Sequence, residues 1–110
     1  MDLRQREADG VDVLAPTDRI DSASSEELKT CVATLIAEGR RRVVIDMSNV
    51  DFIDSSGLGV LVASLRTAQR DGGVLKVAAL NGNLRQLFEL MRLDRVFELF
   101  TDVDKSLESF

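Results

Sequence analysis

The residues whose types and spacing could do chemistry are concentrated in one short run, Asp54, Ser55, Ser56, Gly57, Leu58 and Gly59. The run is small and polar, and it lies where a strand and its connector give way to an apolar-periodic segment. A serine in the first turn of a helix is a good place to put a phosphate. Backbone N–H groups without intrahelical partners and the positive end of the helix dipole converge there, so the added group is held locally and the helix survives. A phosphate adds about -1.5 to -2 charge, and on a docking surface that charge costs affinity through desolvation and like-charge repulsion. A loss of about 4 kcal/mol weakens an interface roughly a thousandfold. Gly57 and Gly59, without a Cβ, would let a partner's backbone or a kinase's active site come close. The same residues also admit a purely structural reading, with Asp54 or Ser55 as an N-cap worth about 0.5 to 2 kcal/mol and Ser56 an ordinary first-turn residue.

Other chemistries fail on composition. A serine hydrolase needs a base for its nucleophile, but the chain has no histidine, and the pattern G-x-S-x-G is absent. A dinucleotide fingerprint starting at Gly57 and Gly59 meets Val62 where its third glycine belongs. Asp46, Asp51 and Asp54 do not follow the calcium-loop spacing, and one cysteine with scattered carboxylates gives no metal set. Lys76 follows no glycine-rich phosphate loop. The expectation is a protein that is not an enzyme and binds neither cofactor nor metal.

The elements that must position this run can be read outward from it. The chain has 110 residues, 45% of them apolar, which suits one domain spanning 1–110 with its own core. Short segments at 3–7 and 11–14 flank Ala8, Asp9 and Gly10 and read as a hairpin. Ser24 and Glu27 form a capping-box signature, and Leu28, Cys31, Val32, Leu35 and Ile36 follow at helical spacing up to Gly39. On that face Cys31 reads as a buried structural thiol. Val43, Val44 and Ile45, closing at Asp46 and Met47, read as a central strand buried on both faces. After the connector from Ser48 to Asp54, Leu58, Leu61, Val62 and Leu65 line a second helix ending at Asp71, Gly72 and Gly73. Val74 to Leu80 reads as another strand, and Leu84, Leu87, Phe88 and Met91 as a third helix. Val96 to Phe100 suits a short edge strand, and Asp102 caps a last helix carrying Val103, Leu107 and Phe110. Strands alternating with helices predict an α/β domain with about four helices and a mixed, mostly parallel sheet that opens on an antiparallel hairpin.

Charge and flanking segments narrow the partners. Nineteen acidic against fourteen basic residues give a net charge of -5, which disfavours direct binding to nucleic acid or to an anionic membrane. The one basic cluster, Arg40, Arg41 and Arg42, reads as a solvated connector, with a docking role as the alternative. A charged N-terminal segment, a single cysteine and no long apolar run predict a cytoplasmic protein without membrane insertion.

The stretch VVIDMSNVDFIDSSGLGVLV, residues 43 to 62, resembles the signature of the STAS domain of anti-sigma-factor antagonists. It combines the β-branched strand, the Asp46 and Ser48 pair, the Val50 and Ile53 spacing and the DSSGLG turn. The order of elements agrees over nearly the whole chain. The resemblance implies that Ser56 is the phosphate acceptor, with Asp54, Ser55, Gly57, Leu58 and Gly59 as its motif neighbours. The run Asp18, Arg19, Ile20, Asp21 resembles the family's G-x-L-D element, which implies Asp21 as a residue near that site; Asp18 stands where the family carries glycine.

By the same resemblance, the unphosphorylated protein would bind an anti-sigma factor that is also a serine kinase. Phosphorylation of Ser56 by that kinase would end binding, and a PP2C-type phosphatase would restore it. Any nucleotide belongs to the kinase. The alternative that the family suggests is a STAS accessory subunit of a lipid-trafficking ABC transporter. Homodimer formation is left open by the sequence.

Overall fold

The computed structural model describes residues 1–110. Strands β1 (Leu3–Ala8) and β2 (Val11–Pro16) form the opening antiparallel hairpin, and the turn between them carries Asp9 and Gly10 at φ 54° and 78°. The left-handed backbone of such a turn suits Asp and Gly. Helix α1 (Ser25–Ala37) leads to β4 (Arg42–Asp46), α2 (Ser55–Arg70) to β6 (Val74–Ala78), and α3 (Gly82–Leu90) through a 3-10 turn at Leu93–Arg95 to β7 (Leu99–Phe100). These give a five-stranded sheet ordered β1-β2-β4-β6-β7, in which β2, β4, β6 and β7 run parallel. The mixed, mostly parallel sheet, its opening hairpin and four helices agree with the sequence reading.

One feature was hidden in the sequence. Asp18–Ile20 forms β3 and Val50–Ile53 forms β5, and the two pair in parallel as a separate small sheet. The span 48–54, read above as a plain connector, therefore contains a strand. Asp18 enters it at φ 68°, a left-handed backbone that glycine adopts without strain and aspartate tolerates better than most residues.

The sheet is covered on both faces. Leu14, Val43, Ile45, Leu75 and Val77 point to one face and pack with Leu28, Val32, Leu61, Leu65, Leu84 and Phe88 of α1, α2 and α3. On the other face Val11, Val13, Val44 and Ala78 meet Val103, Leu107 and Phe110 from the last helix, α4 (Val103–Glu108). Asp102 caps α4 as expected, its carboxylate accepting the Lys105 N–H at 2.8 Å. Lys76 lies under this helix with its side chain only 7% exposed, and its Nζ donates to Ser109 Oγ at 2.7 Å and pairs with Glu98 at 3.0 Å. The Phe110 ring centroid lies 4.3 Å from the same ammonium. A buried charge with this many partners ties the C-terminal residues to β6.

Three local expectations change. The capping box at Ser24 and Glu27 does not form: Ser24 Oγ lies 3.0 Å from the Arg19 carbonyl, so the hydroxyl turns back along the chain. Asp21 instead closes the turn ahead of α1, its Oδ1 accepting the N–H groups of Ala23 and Ser24. Cys31 is half-buried at the margin of the core, where its thiol also meets Gln5 of the edge strand at 3.7 Å. Arg40 is no free connector residue. It forms a two-point pair with the buried Asp12 carboxylate at 2.8 and 2.9 Å and reaches Glu7 at 2.7 Å, fastening the end of α1 to the hairpin. These bonds push the guanidinium pKa up, the hydrogen bond to Asp12 most. Arg41 and Arg42 stay exposed.

Candidate functional site at the start of helix α2

The small β3-β5 sheet exists to fix where α2 begins. Its residues Ile20 and Ile53 are in register and both are buried, anchoring the two strand ends in the core. One residue later Asp54 donates its N–H to the Ile20 carbonyl at 3.2 Å. Asp54 has extended backbone, and its Oδ1 accepts the Gly57 N–H at 2.9 Å while its carbonyl accepts the Leu58 N–H at 2.9 Å. The open choice between Asp54 and Ser55 as N-cap is thus decided for Asp54. Ser55 and Ser56 fill the first two helical positions, where backbone N–H groups lack intrahelical acceptors. Both side chains are exposed.

The two glycines of the motif differ in role. A methyl built on Gly57 would collide with the Ile20 carbonyl and lie 2.6 Å from Ile53 Cγ1, so Gly57 faces inward and lets α2 sit against the small sheet. This corrects the expectation that its missing Cβ serves an approaching partner. Gly59 has open space around it and keeps that reading. Leu58 is half-buried on the flank of the core beside Val62, while the inner face of α2 is made by Gly57, Val60, Leu61, Ser64, Leu65 and Ala68.

Asp21 lies one residue beyond Ile20, and so at the base of the same corner. Its carboxylate is spent on its own turn: Ser24 Oγ lies at 3.1 Å and Arg19 at 3.8 Å, with no hydrogen bond to Ser56. Burial pushes this carboxyl up, but the Ser24 hydroxyl, the Ala23 and Ser24 N–H groups and Arg19 outweigh it and hold it below its ordinary value. Next to it the Arg19 guanidinium stacks 5.1 Å from the ring centroid of Phe52, which is 46% exposed. Sequence reasoning passed over this Arg19 and Phe52 pair because its signal, two residues in register on neighbouring strands, requires knowing that the strands exist.

The site therefore offers two exposed hydroxyls on a rigid corner, with one carboxylate already at the helix terminus. A phosphate on Ser56 would share the dipole end with Asp54, which lessens the local stabilisation expected from the helix alone. The family model for the STAS domain matches residues 2–106, a span that contains this strand, the DSSGLG corner and α2.

The chain belongs to the STAS domain family.

Among relatives of this STAS domain, the anti-sigma-F factor antagonist RsfB of Mycobacterium tuberculosis is 33% identical over 100 residues, covering 89% of this chain and 80% of that protein. The crystal structure of an anti-sigma factor antagonist from Mycobacterium paratuberculosis superposes with a TM-score of 0.88 at 27% identity, covering 98% of this chain and 92% of the other. The Bacillus cell fate determinant SpoIIAA, solved in its phosphorylated form, shares the fold with a TM-score of 0.76 at 15% identity and 98% coverage of both chains. Both mycobacterial proteins are named for antagonism of anti-sigma factors. No helix here is long and apolar enough to cross a membrane.

Proposed function

We propose that this STAS domain is a cytoplasmic anti-sigma-factor antagonist that is not an enzyme, switched by phosphorylation of Ser56. In the unphosphorylated state it binds an anti-sigma factor that is also a serine kinase. That kinase then modifies Ser56, binding ends, and a PP2C-type phosphatase resets the cycle.

The observation that carries this reading is the exposure of Ser56 on a helix terminus whose geometry is fixed from within. Asp54 holds the cap, Gly57 holds the helix against Ile20, and neither role needs the Ser56 hydroxyl. A kinase can reach it without unfolding the domain, and the new charge lands beside Asp54 on the docking surface. Ser55, Leu58 and Gly59 share that surface, and Asp21 supports its base.

The test compares Ser56→Ala with Ser56→Asp in binding to the kinase-type anti-sigma factor of the same cell, by calorimetry. The alanine variant binds like the wild type, and the aspartate variant binds at least about tenfold more weakly, because a buried like charge costs more than 1.4 kcal/mol. Equal affinities would sink the switch.

A further inference from the structure

The outer edge of the hairpin carries a second surface. Strand β1 ends the five-stranded sheet and has only β2 as a neighbour. Asp2 and Thr17 exchange bonds beyond its start, with Thr17 N–H to Asp2 carbonyl at 2.9 Å and Asp2 N–H to Thr17 Oγ1 at 3.0 Å. In an antiparallel ladder the bonded positions alternate, so Arg4, Arg6 and Ala8 face β2. Leu3, Gln5 and Glu7 then turn their N–H and carbonyl groups to the open edge. This is an unpaired template for one more strand.

The side chains on this edge select what can pair with it. Arg4 is in register with Ala15 and Arg6 with Val13, so both arginines stand on the same face as α4. With Val13, Ala15, Asp46 and Asn49 they line a groove of about 390 Å³ beside the part of the sheet that α4 covers. Arg6 makes no ion pair, and Arg4 has only an exposed one with Asp2 at 3.9 Å. On a chain of net charge -5 these are two poorly neutralised cations side by side. Asp46 does not offset them for an added strand. It lies on β4, about 14 Å from a strand placed outside β1, at three strand spacings, beyond the screening length in physiological salt.

A second copy of this chain fits badly. Two sheets joined edge to edge about a two-fold axis keep their faces, so opposed residues must lie on the same face. A register centred on Arg4 or Arg6 sets that arginine against itself, and one centred on Gln5 sets Arg4 against Arg6. Only a register centred on Leu3 sets Arg4 against an opposite charge, that of Asp2, and it joins residues 1–5 alone and leaves Arg6 to Ala8 outside the joint. Like charges directly opposed destabilise the pairing.

We infer that the β1 edge is a docking site for an extended acidic segment of another protein, which adds a strand outside β1 and sets two carboxylates, two residues apart, against Arg4 and Arg6. Main-chain bonds to Leu3, Gln5 and Glu7 supply affinity, and the arginines supply the choice of sequence.

The test is an amide NMR titration of the full chain with an acetylated hexapeptide of alternating valine and glutamate, beside an analogue with lysine in place of glutamate. The glutamate peptide shifts the amides of Leu3 to Ala8 and slows hydrogen exchange at Leu3, Gln5 and Glu7, while the lysine peptide does neither. Binding weakens about five- to tenfold in the Arg4→Glu, Arg6→Glu double variant, and Arg6→Gln weakens it less. No shift at millimolar peptide, equal binding of both peptides, or shifts centred on α2 would overturn the inference. Edge amides protected only as protein concentration rises would assign the edge to a second copy instead.

Discussion

Gly57 has no room for a side chain beside the carbonyl of Ile20, and that close approach sets the position of the whole α2 terminus. The same carbonyl accepts the Asp54 N–H at 3.2 Å. Helix, small sheet and candidate phosphosite are therefore one rigid corner, with Gly57 at its centre.

Gly57→Ala destabilises the fold by about 1 to 3 kcal/mol, since the methyl must displace backbone rather than a flexible side chain. Gly59→Ala, two residues on and in open space, is neutral or stabilises by up to about 1 kcal/mol through helix propensity. Urea unfolding of the pair checks this, and equal midpoints would show that α2 can shift away from Ile20.

Asp21 gives the corner a pH dependence. Its folded pKa lies below the unfolded value, so its charged form stabilises the fold above about pH 4, and the contribution fades as pH falls through the folded value. Asp21→Asn is therefore less stable than the wild type near neutral pH, and the difference shrinks toward pH 3. Denaturation midpoints measured from pH 3 to 7 report it; a gap that stays constant with pH would assign the effect to shape rather than charge.

Ser64 offers a stabilising change. Its hydroxyl is buried on the inner face of α2 without a hydrogen-bond partner, so Ser64→Ala raises stability by about 1 kcal/mol. No gain in the urea midpoint would mean that the hydroxyl has a partner in solution.

Much of this architecture was legible beforehand, and the omissions have identifiable causes. The hairpin, β4, α2 and the Asp102 cap announce themselves through turn residues, β-branched runs and helical periodicity. The β3 and β5 pair does not, because strands of three and four residues are too short to show alternation, and Val50–Ile53 is buried only at its two ends. Missing that sheet hid what Gly57 faces, so its lack of a side chain was read as room for a partner. Ser24 and Glu27 fit the capping pattern by spacing, yet Asp21 already accepts the Ser24 N–H that Glu27 would take, and the Ser24 hydroxyl turns to the Arg19 carbonyl instead of the Glu27 N–H. Arg40 looked like one of three solvated arginines because its partner Asp12 is 28 positions away. The exposure of Ser56 was legible in the local pattern, because it needed only the helix that the pattern begins.

The most direct measurement of the central claim is intact-mass spectrometry of the protein taken from its native cells, with fragment ions locating any added phosphate. The account predicts a singly phosphorylated species with the group on Ser56, in a proportion that changes with growth condition. An unmodified chain under every condition, or a phosphate on Ser55 instead, would contradict it.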